Sequence, residues 1–462
     1  MSTRLCLSSS VMVVTAWAAS AAHAQPCTPR WDPTIGQPGM DGNRVRALAV
    51  FDDGTGPALY AGGDFITATE VVVNCIARWD GRSWSPVAGG VSRSSYPSVY
   101  ALVVYDDGTG PALYAAGIFD KAGGVTVNNV AKWDGRAWHP LSGGIPGGVV
   151  LGLAVFDDGS GPALYVAGGP VATGRREVVT NGIAKWDGDD WSPLGSGIGG
   201  RGGAGGPYVR ALCVFDDGSG PALYAGGWFT IAGGMPANSI AKWDGKRWSP
   251  LGQGITGYPS YVMSLAVHDD GTGPALYVGG GFYYAGGIPV QSIAKWDGFS
   301  WSAVGPGLVA PAASMRVHND GSAHRANLFV GGYFGDLGRV TRWDGAQWSR
   351  LGAGTDYAVL ALDTFADPGS NLQDLHAGGE FRTAGGAPAN HVAAWRGCVF
   401  ADLDGDGDVD VSDFVIFQQC YGGSNMPPAG LCPDGVDADF DDDSDVDLAD
   451  FLIFQQHFTG SR

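Results

Sequence analysis

The sequence predicts an all-β fold made of seven copies of one unit, followed by a small acidic unit of different character. Three observations predict it. A tail written IARWDGRSW, VAKWDGRAW, IAKWDGDDW, IAKWDGKRW, IAKWDGFSW and VTRWDGAQW spans Trp79–Trp84, Trp133–Trp138, Trp186–Trp191, Trp243–Trp248, Trp296–Trp301 and Trp343–Trp348. A truncated seventh copy, VAAWRGC, carries Trp395. The first Trp returns every 47 to 57 residues, a period of blade-like rather than short helical repeats. Finally, of a formal charge of −19, the stretch from Cys398 onward holds −14, from fifteen Asp, no Glu and only Arg462.

Residues 1–24 read as a secretory signal peptide. Arg4 precedes an apolar run from Val11 through Ala18, and Ala22-His23-Ala24 supplies a small-residue cleavage site before Gln25. No later apolar stretch is long enough to cross a bilayer. The expectation is therefore a secreted protein, extracellular or attached at the cell surface, without membrane insertion, where disulfides persist. At 462 residues and 45% hydrophobic content the chain buries a large core and holds more than one domain. Its 77 Gly fall at fixed places in the repeat, which marks turn and packing chemistry rather than disorder. The acidic balance excludes a nucleic-acid binder, which needs a basic face.

The fourth copy shows the unit. Tyr208–Phe215 reads as a first strand and Asp216-Asp217-Gly218 opens a tight loop. Ala222–Phe229, with Gly226-Gly227, reads as the second strand and Ser239–Trp243 as the third. Asp244-Gly245 turns the chain into Trp248–Leu251, the fourth. No helical apolar period appears. Four antiparallel strands repeated seven times describe an all-β seven-bladed β-propeller. Small Gly226-Gly227 suit the crowded inner part of a wedge, and the paired Trp243 and Trp248 suit its wide rim. Those two indoles should face each other across the turn, a pair worth about 0.5–1 kcal/mol beyond burial.

Closure follows from what the seventh copy lacks. Its three strands (Ala358–Thr364, Leu372–Phe381, His391–Trp395) have no second Trp after them, whereas Arg30-Trp31-Asp32-Pro33 resembles Ser83-Trp84-Ser85-Pro86. The N-terminal strand should complete the last blade, pairing Trp31 with Trp395. Cys27 and Cys398 flank that junction, which predicts a disulfide in place of the usual Asp-Gly turn, worth about 3–4.5 kcal/mol by loop entropy.

The Gly-Gly ending the second strand (Gly62-Gly63, Gly226-Gly227, Gly331-Gly332), the aromatic in the third and the Trp in the fourth resemble kelch repeats over residues 28–397. Trp stands where kelch usually has Tyr. The Gly-His dipeptide of WD repeats is absent. The resemblance bears on the fold, since propellers serve many functions.

The acidic unit, residues 398–462, carries two loops, DLDGDGDVDVSD and DFDDDSDVDLAD. Oxygen ligands at positions 1, 3, 5, 7, 9 and 12 of a twelve-residue loop suit Ca²⁺. They are Asp402, Asp404, Asp406, Asp408, Asp410 and Asp413 in the first loop, and Asp439, Asp441, Asp443, Asp445, Asp447 and Asp450 in the second. Position 6 is Gly407 in one and Ser444 in the other, so the second site should be the weaker. An apolar helical segment follows each loop, with Phe414, Phe417 and Tyr421 on one face, and Phe451, Phe454 and Phe458 on the other copy's face. The duplicated loops with Asp at position 12 resemble a type I dockerin. That resemblance implies a small α-helical domain folded around two Ca²⁺ and docked onto a cohesin-like extracellular partner. Positions 10 and 11, where the family often carries recognition residues, are Val411-Ser412 and Leu448-Ala449 here. Cys420 and Cys432, between the copies, should form a disulfide.

The variable loops should share one face of the blades, opposite the Asp-Gly turns. Tyr208, Trp228, Tyr258, Tyr261, Tyr283 and Tyr284 form its aromatic patch, of the kind that stacks on sugars or grips peptides. Acids on that face are Asp64, Asp120, Asp336 and Glu380, and a glycosidase needs two carboxylates at a set separation. Asp64 and Glu380, at one repeat position in adjacent blades, are the only candidate pair. His268 and His318 stand where other copies have an aromatic closing the first strand. No His/Cys cluster has transition-metal spacing, and Cys75 and Cys213 read as buried thiols. The reading that results is a secreted, non-catalytic propeller over 25–397 that binds polysaccharide or protein, anchored through a calcium-dependent tail. Two alternatives stay open: a glycoside hydrolase of extracellular polysaccharide breakdown, and a structural surface repeat protein.

Overall fold

A computed structural model describes residues 29–169, 172–173, 178–179, 181–200, 206–321, 325–367, 373–397, 401–403, 409–433, 436, 438–440 and 444–458. The signal peptide expected over 1–24 and the Cys27–Cys398 disulfide lie outside them. The chain divides into two compact units, one spanning Thr28–Cys398 and the other containing Val399–Arg462.

The larger unit is a propeller-like all-β arrangement of successive antiparallel sheets, each built on a path of four strands, with a short fifth strand, Val71–Val72, on the first. Their first strands are Met40–Asp52, Ser98–Asp106, Val150–Asp157, Tyr208–Asp216, Tyr261–Asp269, Ala312–His318 and Val359–Phe365. These define sheets one to seven. The fourth runs Tyr208–Asp216, Pro221–Trp228, Ile240–Trp243 and Trp248–Pro250, within a residue or two of the expected bounds. In the seventh, Val359–Phe365, Asp374–Gly379 and Val392–Arg396 are joined by Arg30–Asp32 from the chain's beginning. Trp31 pairs with Trp395 in register, their rings 5.5 Å apart. The other six Trp pairs face each other in the same way, at 5.1–5.4 Å.

Each first strand lies against the first strand of the next sheet, and that of the seventh lies against that of the first. The Gly pairs make this approach possible. A Cβ on Gly62 would come within 2.5 Å of Val99 Cγ1 in the next sheet, and one on Gly226 within 2.4 Å of Val262 Cγ1. Gly378 of the seventh sheet faces Val45 Cγ1 of the first at 2.4 Å by the same measure. The second Gly answers to its own sheet: a Cβ on Gly227 would sit 2.1 Å from the Tyr208 carbonyl, beside a bulge between Val209 and Ala211.

The rim is stitched by indoles. The second Trp of each sheet donates its Nε1–H to a carbonyl of the preceding unit, from Trp84 to Ile35 through Trp348 to Val304, at 2.9–3.4 Å. Trp31 completes the set by donating to Leu351 at 2.9 Å. Tyr and Trp burial of this kind is stable because the polar tip finds a partner.

The segments between second and third strands, expected as plain loops, contain short hairpins. Ile231–Ala232 pairs with Met235–Pro236, and Tyr284–Ala285 with Ile288–Pro289. The cause is Gly233-Gly234 and Gly286-Gly287, all at positive φ, the backbone of a two-residue hairpin turn.

Five sheets carry a recurrent polar cluster at their Asp-Gly end, with Lys as the cation in four and Arg78 in the first. Asp217 accepts hydrogen bonds from the Tyr224 hydroxyl at 2.8 Å and the Ser219 hydroxyl at 2.7 Å, and pairs with Lys242. Burial opposes ionisation of Asp217, but these donors overcome it and hold its carboxyl down at about 2. Asp53, Asp107, Asp158 and Asp270 repeat the cluster. His268 and His318 stack on Tyr277 and Phe329 at 5.4 and 5.6 Å, as Phe215 does on Tyr224. Both are structural, as the repeat implied.

The seventh sheet departs from this pattern. Arg396 pairs with Asp32 of the N-terminal strand, with Asp367 and with buried Asp374, and fully buried His376 replaces the Tyr. Burial pushes Asp374 up to about 6 and His376 well below its ordinary range. The two act oppositely. A His depressed on folding loses stability as pH falls below its unfolded value of about 6.5, whereas an Asp raised on folding gains it as pH falls from about 6 to about 4. His376→Phe, the residue at that place in the sixth sheet, removes only the first. Its melting temperature relative to the parent should rise steadily as pH is lowered from 6.5 to 4, read by differential scanning calorimetry; a parallel pair of curves would refute the assignment.

In the smaller unit, α1 spans Val411–Cys420 and α2 spans Leu448–His457. Phe417 and Phe454 are buried and stack at 5.5 Å, with Phe440 beside both. Tyr421 and Phe458 stand just past the helix ends as C-caps, half exposed, rather than inside the apolar faces. Cys420 and Cys432 form the expected disulfide. Among the described residues, no helix is long and apolar enough to cross a membrane.

Candidate functional site

Two polar regions stand out, one in each unit. The first lies where the seven first strands converge. Arg46, Tyr100, Leu151, Arg210, Met263, Ala313 and Leu360, one residue from each sheet, line a single cavity of about 170 Å³. All seven hold the same repeat position, five before the strand-closing aromatic or His.

At this cavity the expected acid pair is found together, but bridged. Arg44 donates to Asp64 at 3.0 Å and to Glu380 at 2.6 Å. Asp64 also pairs with Arg46 and accepts the Ser98 hydroxyl at 2.9 Å. A guanidinium therefore occupies the space between the carboxylates, where a hydrolase would admit a glycosidic oxygen. Arg46 stacks on Tyr100 at 4.6 Å. Burial pushes up the Tyr261 and Tyr333 phenols, and Arg210 is close enough to both to counter that in part. Asp120 contributes backbone bonds to the connecting strands, its N–H donating to Ser92 and its carbonyl accepting from Val127. Asp336 is exposed.

The aromatic patch divides in two. Tyr208 and Trp228 face each other across their sheet at 5.7 Å, and Tyr261 covers Gly281 in the next. Tyr258, Tyr283 and Tyr284 instead line a separate cleft of about 590 Å³ with Pro289, Gln291 and Pro306. They are 91%, 53% and 45% exposed. Sequence reasoning missed Arg44, Arg46, Tyr100, Arg210 and Tyr333. Arg46, Tyr100 and Arg210 share one repeat position, which is Leu, Met or Ala in the other four copies.

Burial pushes Cys75 and Cys213 up to about 12. Cys75 is buried as expected, while Cys213 is partly exposed.

The second region is the pair of acidic loops. Asp404, Asp406, Asp408, Asp441 and Asp443 lie outside the described residues. Asp413 and Asp450, at position 12, are fully buried and accept two backbone N–H each, from Leu403 and Asp410 and from Phe440 and Asp447. Asp410 and Asp447, at position 9, are also the helix N-caps, and each forms a capping box with the position-12 Asp. Carboxylate oxygens of Asp445, Asp447 and Asp450 come within 4.8 Å of one another. Asp402 is buried, and Asp439 accepts the Ser444 N–H at 2.8 Å. Ser444 itself sits at φ +77°, the left-handed region that costs a non-Gly residue about 1 kcal/mol. In the second loop the converging all-oxygen set of buried Asp445 and Asp450 with partly exposed Asp447 would suit a hard cation such as Ca²⁺.

No protein-family model matches the chain, and no curated protein matches it. Solved structures similar to this chain include two of the extracellular domain of BT4673 from B. thetaiotaomicron, described once as a one component and once as a hybrid two component system. The first is 11% identical with a TM-score of 0.49, over 80% of this chain and 40% of that one. The second is 12% identical with the same TM-score, over 82% and 42%. This chain thus spans about two fifths of their length. Nothing about ligand or activity transfers at that level.

Proposed function

We propose that the protein is a secreted, non-catalytic seven-bladed β-propeller that binds an extracellular polysaccharide on its loop face, held to a partner by a calcium-dependent, dockerin-like tail. The observation that carries the binding role is the cleft walled by Tyr258, Tyr283 and Tyr284. Exposed rings around a concave space are suited to stacking on sugar faces. The bridged Asp64–Glu380 pair favours binding over hydrolysis. In the tail, Asp402, Asp410 and Asp413, and Asp439, Asp445, Asp447 and Asp450, would hold two Ca²⁺. The ions supply positive charge that lets these carboxylates pack together. Val411 and Val415, with their counterparts Leu448 and Leu452, stay 48–62% exposed on the two helices. They offer matching apolar stripes to a cohesin-like partner.

A glycan-array screen of the secreted chain, with hydrolysis products assayed in parallel, tests the reading. Replacing Tyr258, Tyr283 and Tyr284 by Ala should weaken the best array ligand at least tenfold, about 1.4 kcal/mol, and no sugar should be cleaved. Unchanged affinity in the triple variant would remove the cleft from the function.

A further inference from the structure

The charges around the central cavity do not balance. Arg44, Arg46 and Arg210 meet only Asp64 and Glu380 there, and both carboxylates are taken up by Arg44 and Arg46. Among the described residues, no carboxylate lies within ion-pair distance of Arg210, although its side chain lines the cavity. The surroundings make this notable. The chain carries −19 overall, and in the larger unit the Lys of the repeat are committed to the Asp clusters at the opposite end of the sheets. Arg210 is partly exposed, and its planar fork is built for a carboxylate.

We infer that Arg210 receives the carboxylate of a uronate residue, so that the glycan bound on the loop face is an acidic one. This rests on the polysaccharide reading above and adds to the Tyr258–Tyr283–Tyr284 cleft a second contact, at the central cavity, that sets the substrate class. Size agrees. At about 170 Å³ the cavity is smaller than a whole-ligand pocket, typically some 300–1,000 Å³, so it admits one substituent and not a chain threading through. The neighbouring rings agree as well. Tyr208, Trp228 and Tyr261 come from the same two sheets as Arg210 and its neighbour Met263, and Tyr333 lies near both Arg210 and Glu380. A sugar ring stacked on these phenols would direct its carboxylate inward to Arg210. A general polyanion site is disfavoured, because the net acidic chain repels long anionic polymers and the positive charge is confined to this spot.

The test uses the full secreted chain and calorimetric titration with trigalacturonate and with its carboxyl-reduced, neutral counterpart. The acidic trisaccharide should bind at least tenfold more tightly, and the preference should shrink with added salt. Arg210→Gln should abolish the preference, and Arg210→Lys should restore part of it. Equal affinities of the two sugars for the parent protein, a comparison that needs no variant, would overturn the uronate inference and leave the polysaccharide reading standing. Failure of both sugars to bind would overturn both. A preference that survives in Arg210→Gln would overturn the assignment to Arg210.

Discussion

Chelating calcium is expected to unfold the Val399–Arg462 unit while leaving the sheets of the larger unit intact. The physical reason is the density of charge. Asp413 and Asp450 are fully buried beside other carboxylates, and the capping boxes that start α1 and α2 use the same side chains. Without a cation these groups repel one another, and loss of the loops removes both helix caps. Limited proteolysis in excess chelator should therefore cut within Val411–Cys420 and Leu448–His457, with residues 29–397 resistant. Restoring Ca²⁺ to a hundredfold over its dissociation constant should recover about 2.7 kcal/mol per site. The sites should differ, because Ser444 holds a left-handed backbone. Ser444→Gly should tighten the weaker site about fivefold, the equivalent of about 1 kcal/mol. A titration that fits a single class of equal sites would contradict this account of Ser444.

The second large effect concerns closure. Gly378→Val places a side chain where Val45 Cγ1 already lies within 2.4 Å of the nearest possible Cβ. Overpacking of that severity should cost about 3 kcal/mol. Val45→Ala in the same chain should return at least 1 kcal/mol of it, a coupling that exists only if the two residues touch. Thermal unfolding of the parent, both single variants and the double variant measures it. Strictly additive effects would mean that the seventh and first sheets do not meet.

Much of this architecture was legible in the chain. Strand bounds in the fourth unit fell within a residue or two because Asp-Gly turns and Trp pairs punctuate every copy. The pairing of Trp31 with Trp395 was legible because one copy lacked a Trp and the N-terminus had one to spare. Four things were not read. The purpose of Gly62 and Gly378 depends on a Val in a neighbouring sheet, a contact that no spacing within one unit reveals. The inward-facing Arg46 and Arg210 were hidden by the bulge beside them, which breaks the two-residue alternation that assigns faces. The split of the Tyr patch arose because Tyr258 is on a loop and Tyr261 on a strand, and loops have no period to follow. The acidic clusters were a missed opportunity, since Asp, Tyr at seven residues on and Lys at about twenty-five recur in copy after copy.

The indole bonds along the rim all point the same way. Each copy brings the donor for its predecessor and the acceptor for its successor. A tandem duplication or deletion of one whole copy would orphan neither group, whatever the number of copies. Such a chain can lengthen or shorten by recombination without breaking its own grammar, and only the angle between neighbouring wedges decides how many copies make a complete turn.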